Sequence, residues 1–410
     1  MNIKDDNELN ITLFIALCCI VYFSSYITRI NYGATIAEII SSLNLTKTLA
    51  SMVVTGSFIT YGAGQILNGF IGDYIKPRTM IFYGLAITST CNLIMASLSN
   101  IYIMTAIWCV NGFAQSMMWP PLTRIMVENL SQDNYKKACV AVSAAASVAI
   151  IFTYIFVPLC ITLLNWRWVF LLSAVWGAII GLLWIFQVDK LIQKIGSNDD
   201  RATLTQVINP SIRLGKLLVK SGLIPITLVI VLQGILRDGI TTWMPSYIDD
   251  IYNLGTSISI LTAAILPIFS IISVFISSYI HRKIKSELIS SLLFWIVGLL
   301  SCLILVIVYA SQATISILMM SIITGCMHGI NLMLIGILPS QFKNTGRVST
   351  VSGILNAFTY VGSAISTYAI AALSDNYGWK ITILTWCGVL ILGIIINTIS
   401  IKLWHSPSDE

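Results

Sequence analysis

An all-α integral membrane fold of twelve spanning helices in two six-helix repeats is what the sequence predicts, on three observations. Of its 410 residues 57% are apolar and only 10% charged, with a mean hydropathy of +0.87; no ordinary soluble domain has this composition. The apolar stretches are continuous over about 20 residues, the length that crosses a hydrocarbon core roughly 30 Å thick. They do not alternate with period two, so a barrel is excluded and helices are the remaining way to satisfy the backbone in lipid. Finally, features of the first half recur in the second. Twelve spans with short connections leave no room for a sizeable extramembrane domain.

The spans fall at 11–37, 50–72, 79–98, 102–126, 137–163, 167–188, 222–247, 257–280, 287–309, 313–338, 347–372 and 380–402. Met1 to Asn10 is polar, with Asp5, Asp6 and Glu8, unlike the basic leader of a cleaved signal, so the first span is expected to stay attached. That span sets Tyr22, Tyr26 and Arg29 at i, i+4, i+7, on one helix face. The second repeats the spacing with Tyr61, Gln65 and Asn68. Its end, Gly69-Phe70-Ile71-Gly72-Asp73-Tyr74-Ile75-Lys76-Pro77-Arg78, places an acid beside two cations. A salt bridge clamping this loop, built on Asp73 and Arg78, would hold one side closed and break when it opens, a conformational switch. The matching stretch Ser277 to Lys283 lacks the acid, so the clamp is one-sided.

The third, eighth and ninth spans rest on hydropathy alone. In the fourth, Trp119-Pro120-Pro121 removes backbone donors and should bend the helix, with Trp119 a candidate to face a cleft. The fifth carries Ser143-Ala144-Ala145-Ala146-Ser147, small enough for close helix approach. The sixth opens on Asn165-Trp166-Arg167-Trp168. The seventh spaces Gln233, Arg237 and Thr241 at four-residue intervals, and the tenth aligns Thr324, His328 and Asn331. The eleventh aligns Ser352, Asn356, Tyr360 and Ser363, and carries Gly353 and Gly362. The twelfth opens on Tyr377-Gly378-Trp379-Lys380. One long polar stretch divides the chain into an N-terminal six-helix bundle (1–188), a cytoplasmic linker (189–221) and a C-terminal six-helix bundle (222–410). Trp166 and Trp379 lie 213 residues apart, and Arg29 and Arg237 lie 208 apart. Two unrelated features at nearly one offset indicate a duplication, and substrate is expected in the cleft between parallel repeats.

Eighteen Lys and Arg fall on one face, in loops or at span ends, against Lys47, Arg167 and Lys380 on the other. Positive charge accumulates on the cytoplasmic side, which puts both termini in the cytoplasm and makes the cell inner membrane the expected location. The net charge of +6 therefore reports orientation, not nucleic-acid binding. The nine Cys show no C-x-x-C spacing and read as small apolar packing residues.

Arg29 and Arg237 are the cations within spans, and a charge there must face a cavity or a partner. No paired intramembrane acid is available. Asp238 adjoins Arg237, but consecutive helix residues point about 100° apart, which makes it a poor partner. Two cations at repeat-related positions make a site for an anion, phosphate or carboxylate, gripped by guanidinium. An enzyme is not expected: His281 lies in a basic loop, His405 in the tail, and His328 alone within a span, with no metal cluster, glycine-rich phosphate loop or cofactor motif.

At Arg29-Ile30-Asn31-Tyr32, Gly72-Asp73 with Pro77-Arg78, Trp119-Pro120-Pro121 with Arg124, Leu236-Arg237-Asp238-Gly239 with Trp243-Met244-Pro245-Ser246-Tyr247, and Asp375 with Gly378-Trp379, the chain resembles the organophosphate:inorganic phosphate antiporter family of the major facilitator superfamily. The resemblance runs over essentially the whole chain. It implies a transporter working by alternating access, with Arg29 and Arg237 as phosphate ligands and Tyr22, Tyr26, Tyr61, Trp119 and Tyr360 around them. Two positions depart from the family: Gln65 stands where it has a lysine, and Ser147 where it has a histidine. Less positive charge favours a monoanionic carboxylate such as a sugar acid over a phosphate dianion. His328 is a candidate replacement cation or proton site. Exchange against inorganic phosphate needs no proton site, whereas symport would, with Asp238, His328 or Glu38 as candidates. The family also contains carrier-like sensors that work with a membrane kinase, the alternative reading. A cleft within one chain lets a monomer suffice.

Overall fold

The computed structural model describes residues 3–45, 47–196, 221–254, 262 and 265–404, and among them the regular structure is helical throughout. The chain divides into two compact units, Met1–Ile208 with Phe342–Ile354, and Asn209–Gln341 with Leu355–Glu410.

The first unit contains α1 (Ile3–Leu43), α2 (Lys47–Tyr74), α3 (Pro77–Met95), α4 (Ile101–Gln115), α5 (Trp119–Asn129), α6 (Gln132–Leu163) and α7 (Trp166–Gly196). Local chemistry sets the joints. Pro77 stands in the first turn of α3, where a missing N–H costs nothing. The Asn100 side chain accepts from the Tyr102 and Ile103 N–H groups at 3.0 and 3.3 Å to start α4, and Ser131 accepts from Asn134 N–H at 3.4 Å to start α6. The Trp-Pro-Pro segment does more than bend the fourth span: α4 ends at Gln115, and Pro120 and Pro121 occupy the first turn of a new helix, α5. One end of this unit is filled by Tyr32, Trp108, Trp166 and Phe170, with Phe170 edge-on to Trp108 at 5.7 Å and to Trp166 at 5.9 Å.

The second unit contains α8 (Leu223–Tyr252), α9 (Ile265–Ile284), α10 (Glu287–Val308) and α11 (Ala313–Asn331), which runs on through a π-helical stretch, Leu332–Ile337, and 3-10 turns, Leu338–Thr345. The last helix, α12 (Val348–Leu403), starts in the first unit and breaks at Gly378, whose φ of 77° only glycine adopts freely. There Trp379 Nε1 donates to Asp250 at 3.0 Å, closing the second arm of α12 onto α8.

Among the described residues nine helical stretches are long and apolar enough to cross a membrane. The remaining spans read from the sequence are α2, α3 and the α4–α5 pair. They fall short because α2 is diluted by Gly, Thr, Gln65 and Asn68, α3 by Arg78, Asn92 and its Thr and Ser residues, and α4 stops after 15 residues. Polarity is inverted relative to a soluble protein: Ile59, Ile155, Leu163 and Ile307 are exposed, while Asn31, Gln65, Asn92 and Asn111 are fully buried. Helix ends differ from the hydropathy limits, since α1 begins at Ile3 and α7 continues past 188 to Gly196, the last described residue of that stretch. Residues 197–220 of the expected linker, and most of the first eight residues of the 257–280 span, lie outside the described residues.

Candidate functional site

In the first unit the expected site residues of α1, α2 and α5 form one arc of contacts. Tyr22 and Tyr26, one turn apart on α1, meet edge to face at 5.2 Å, and Tyr22 lies 5.1 Å from the Trp119 ring at the start of α5. The Arg29 guanidinium sits 4.4 Å from the Tyr26 ring centroid and 4.7 Å from that of Tyr61. Facing aromatic π surfaces stabilise a cation where water is scarce and hold its hydrogen-bonding edge in a fixed plane. Gln65 follows Tyr61 by one turn of α2, is fully buried, and makes no hydrogen bond through either amide atom among the described residues. The Trp119 indole N–H is likewise buried without an acceptor among them. Ser147 is buried on α6 and lies outside the contacts of this arc.

In the second unit Arg237 donates from Nε and Nη2 to the two carboxylate oxygens of Asp238, at 2.7 and 2.8 Å. The expectation that Asp238 is a poor partner is therefore corrected. Adjacent Cβ atoms do diverge, but the long arginine side chain folds back and reaches its neighbour with the fork that matches a carboxylate. Ser363 on α12 donates to the same carboxylate, and Thr241 Oγ1 donates to the Arg237 carbonyl at 2.6 Å. His328 on α11 lies within electrostatic reach of both Arg237 and Asp238. Asn331 and Tyr360 are half-buried on α11 and α12. Glu38 is exposed near the end of α1, nine residues and so about 13 Å along the axis from Arg29.

The loop after α2 is wired differently from a local clamp. Arg78 pairs with Asp189 of α7 and donates to the Ile185 carbonyl at 2.8 Å, tying α3 to α7. Asp73, 2% exposed, accepts from the N–H groups of Ser349 and Thr350 at 2.9 and 3.2 Å, and from the Thr350 hydroxyl. These N–H groups belong to the first turn of α12, where donors lack intrahelical partners and negative charge is favoured. Arg347 stands 4.0 Å from the same carboxylate and donates to the Tyr74 hydroxyl at 3.0 Å. Arg124 completes the junction: Nη1 donates to the Gly72, Asp73 and Ile75 carbonyls at 2.7, 2.9 and 3.1 Å, and Nε pairs with Glu128 at 2.6 Å. Asp189, Ser349 and Thr350 escape sequence reasoning because their partners lie more than a hundred residues away.

The all-helical membrane architecture is the fold of a class of membrane transporters, and the chain belongs to the Major Facilitator Superfamily, whose profile matches residues 18–367. The fold agrees with a solved structure of the Escherichia coli fucose:proton symporter FucP, at a TM-score of 0.72, 13% identity and 95% of this chain against 99% of that one. It also agrees with a bacterial homologue of the iron transporter ferroportin in an outward-facing state, at 0.73, 12%, 95% and 99%. Among curated relatives, a probable hexose phosphate transport protein of Chlamydia muridarum is 20% identical over 87% of this chain and 84% of its own. The glycerol-3-phosphate transporter of Bacillus subtilis is 25% identical over 46% of this chain and 43% of its own. The membrane sensor protein UhpC of Salmonella typhimurium is 27% identical over 26% and 24%.

Proposed function

We propose that this transporter carries a small organic anion, an organophosphate or a related sugar-acid carboxylate, across the cytoplasmic membrane by alternating access, with Arg29 and Arg237 as the anion ligands and both termini in the cytoplasm. The observation that carries the reading is the Arg29 guanidinium framed by Tyr26 and Tyr61 within an apolar bundle. A half-buried cation flanked by aromatic rings in an apolar span is costly to place there and suits an anion as its ligand. The names of the hexose phosphate and glycerol-3-phosphate relatives support the substrate class. Inorganic phosphate or a proton is the coupling ion, and a monomer suffices.

Thermal melting in detergent tests it, with phosphate, glycerol phosphate, hexose phosphates, phosphoglycerates and sugar acids as ligands. Saturating ligand raises the stability of the folded state by about 1.4 kcal/mol for each tenfold excess over Kd. A shift with one anion class, lost in Arg29→Ala, is the expected result; no shift with any anion removes the reading. The similarity to UhpC favours a second reading, an anion sensor without net transport, which binding without uptake in proteoliposomes would support.

A further inference from the structure

Around the residue before Arg29 the first unit concentrates amide side chains that neither the ring arc nor the α2–α12 junction uses. Thr28 is fully buried, and its carbonyl accepts from Asn92 Nδ2 of α3 at 3.0 Å and from Asn111 Nδ2 of α4 at 3.3 Å. Its hydroxyl accepts from Gln115 Nε2 of α4 at 2.9 Å and donates to the Ser24 carbonyl at 2.8 Å. Asn31 closes the ring by donating to Asn92 Oδ1 at 2.7 Å. Asn31, Asn92 and Asn111 are fully buried and Gln115 is 1% exposed.

We infer that this cluster is a positioning device for the anion ligand: the amides of Asn92, Asn111 and Gln115 grip Thr28 from α3 and α4 and so fix the rotation of α1 that aims Arg29 at Tyr61. Thr28 and Arg29 point about 100° apart, so seating one in the bundle sets the bearing of the other. Rotation about the α1 axis would carry the guanidinium off the Tyr61 ring on α2.

General packing does not require the cluster. The offset that relates Arg29 to Arg237 puts Leu236 and Gly239 at the counterparts of Thr28 and Asn31, and Leu236 is fully buried without a side-chain hydrogen bond to offer. Among the described residues of the second unit Leu236 has no such side-chain grip, and there the neighbouring Asp238 holds the arginine directly. Arg29 is followed by Ile30, which cannot do the same. Hydrogen-bonded networks buried in an apolar medium specify one arrangement, because a shifted helix would leave several polar groups unpaired at once.

The functional meaning rests on the proposed anion reading, but the position of residue 29 can be measured without a ligand. In a variant with the nine native Cys replaced, Arg29→Cys and Tyr61→Cys are bridged by a rigid phenylene bismaleimide, and the bridging rate is compared with and without Thr28→Val or Asn111→Leu. Each should slow bridging roughly tenfold, within the coupling expected of groups in one network. Thr28→Ser, which keeps the hydroxyl that Val lacks, should leave it near the unsubstituted rate. With Arg29 present, Thr28→Val should weaken anion binding by a similar factor, on top of the lower ligand-free melting temperature that an unpaired buried Gln115 amide brings. Gln115→Met removes the same bond from α4 should Thr28→Val fail to fold. Bridging that is indifferent to all of these overturns the inference. Bridging that responds in a protein binding no anion sustains the positioning device and removes the anion reading instead.

Discussion

At the residue scale the two span arginines are alike in sequence and differently held. Arg29 lies against rings, whereas Arg237 is gripped edge-on by the carboxylate of Asp238, so much of its charge is already committed. On the proposed function an incoming anion would share or displace that carboxylate, and a ligand with one negative charge would give up less than a dianion in doing so. Asp238→Asn keeps the shape and removes the competing charge. Hydrogen bonds to charged groups contribute about 1.5–3 kcal/mol, so the variant should bind phosphate esters at least tenfold more tightly, read as a larger melting shift at equal concentration. Weaker binding would show instead that Asp238 orients Arg237 for substrate. Both arginines were legible in the sequence because a cation in an apolar span is costly and needs a reason. The pairing was not, since the direction of Cβ says little about where a long flexible side chain ends. The grip on Thr28 was hidden for another cause: two of its bonds end on a backbone carbonyl, which every residue possesses.

At the element scale, α2 crosses the start of α12 where Gly69 meets Gly353. A Cβ on Gly353 would lie 2.7 Å from the Gly69 Cα and would strike the Gln65 carbonyl. Neither obstacle is the end of a flexible side chain, so Gly353→Ala must spread the crossing. Overpacking of this kind costs about 1–3 kcal/mol, and the expected result is a lower melting temperature without ligand, with Gly388→Ala, whose Cβ would meet nothing within 4 Å, as the unaffected control. Asp73 acts on the same crossing through the first-turn N–H groups of α12. Loss of such a cap costs about 1 kcal/mol, so Asp73→Leu should lower the melting temperature further, while Asp73→Asn, which keeps an acceptor, should lower it less. Equal effects of Leu and Asn would assign the contribution to charge alone. Hydropathy located the spans well because lipid imposes their length and composition. It could not see that the fourth is two helices, since an apolar run reads the same across a three-residue turn, and it missed the helical continuation past 188 because the more polar segment Asp189 to Lys194 keeps helical backbone after the apolar run has ended.

At the scale of the whole molecule, orientation decides what the α2–α12 junction can do. Asp73, Arg78, Arg124 and Arg347 all belong to the face that carries eighteen of the Lys and Arg residues, so the charge rule predicts a cytoplasmic junction, which on the proposed function would act on exchange with the cell interior. Alkaline phosphatase, active only outside the cytoplasm, reads this directly when fused at successive loops. Fusions at Asn100, Asn165 and Gln312 should be active, and those at Lys76, Leu130, Lys285 and Trp404 inactive. The bias is steep enough that removing one cation should not invert the pattern: Arg78→Ala is expected to weaken the tie to Asp189 and leave topology unchanged. The reverse pattern of fusion activities would place the Asp73 junction outside, and the capped start of α12 would then control entry from the exterior. A pattern that fails to alternate between Asn100 and Leu130 would mean that α4 and α5 do not together form one crossing. The charge rule is an argument about the whole molecule because it sums many weak preferences, each small beside the cost of exposing a polar backbone to lipid, and the fusion pattern is what tests that sum.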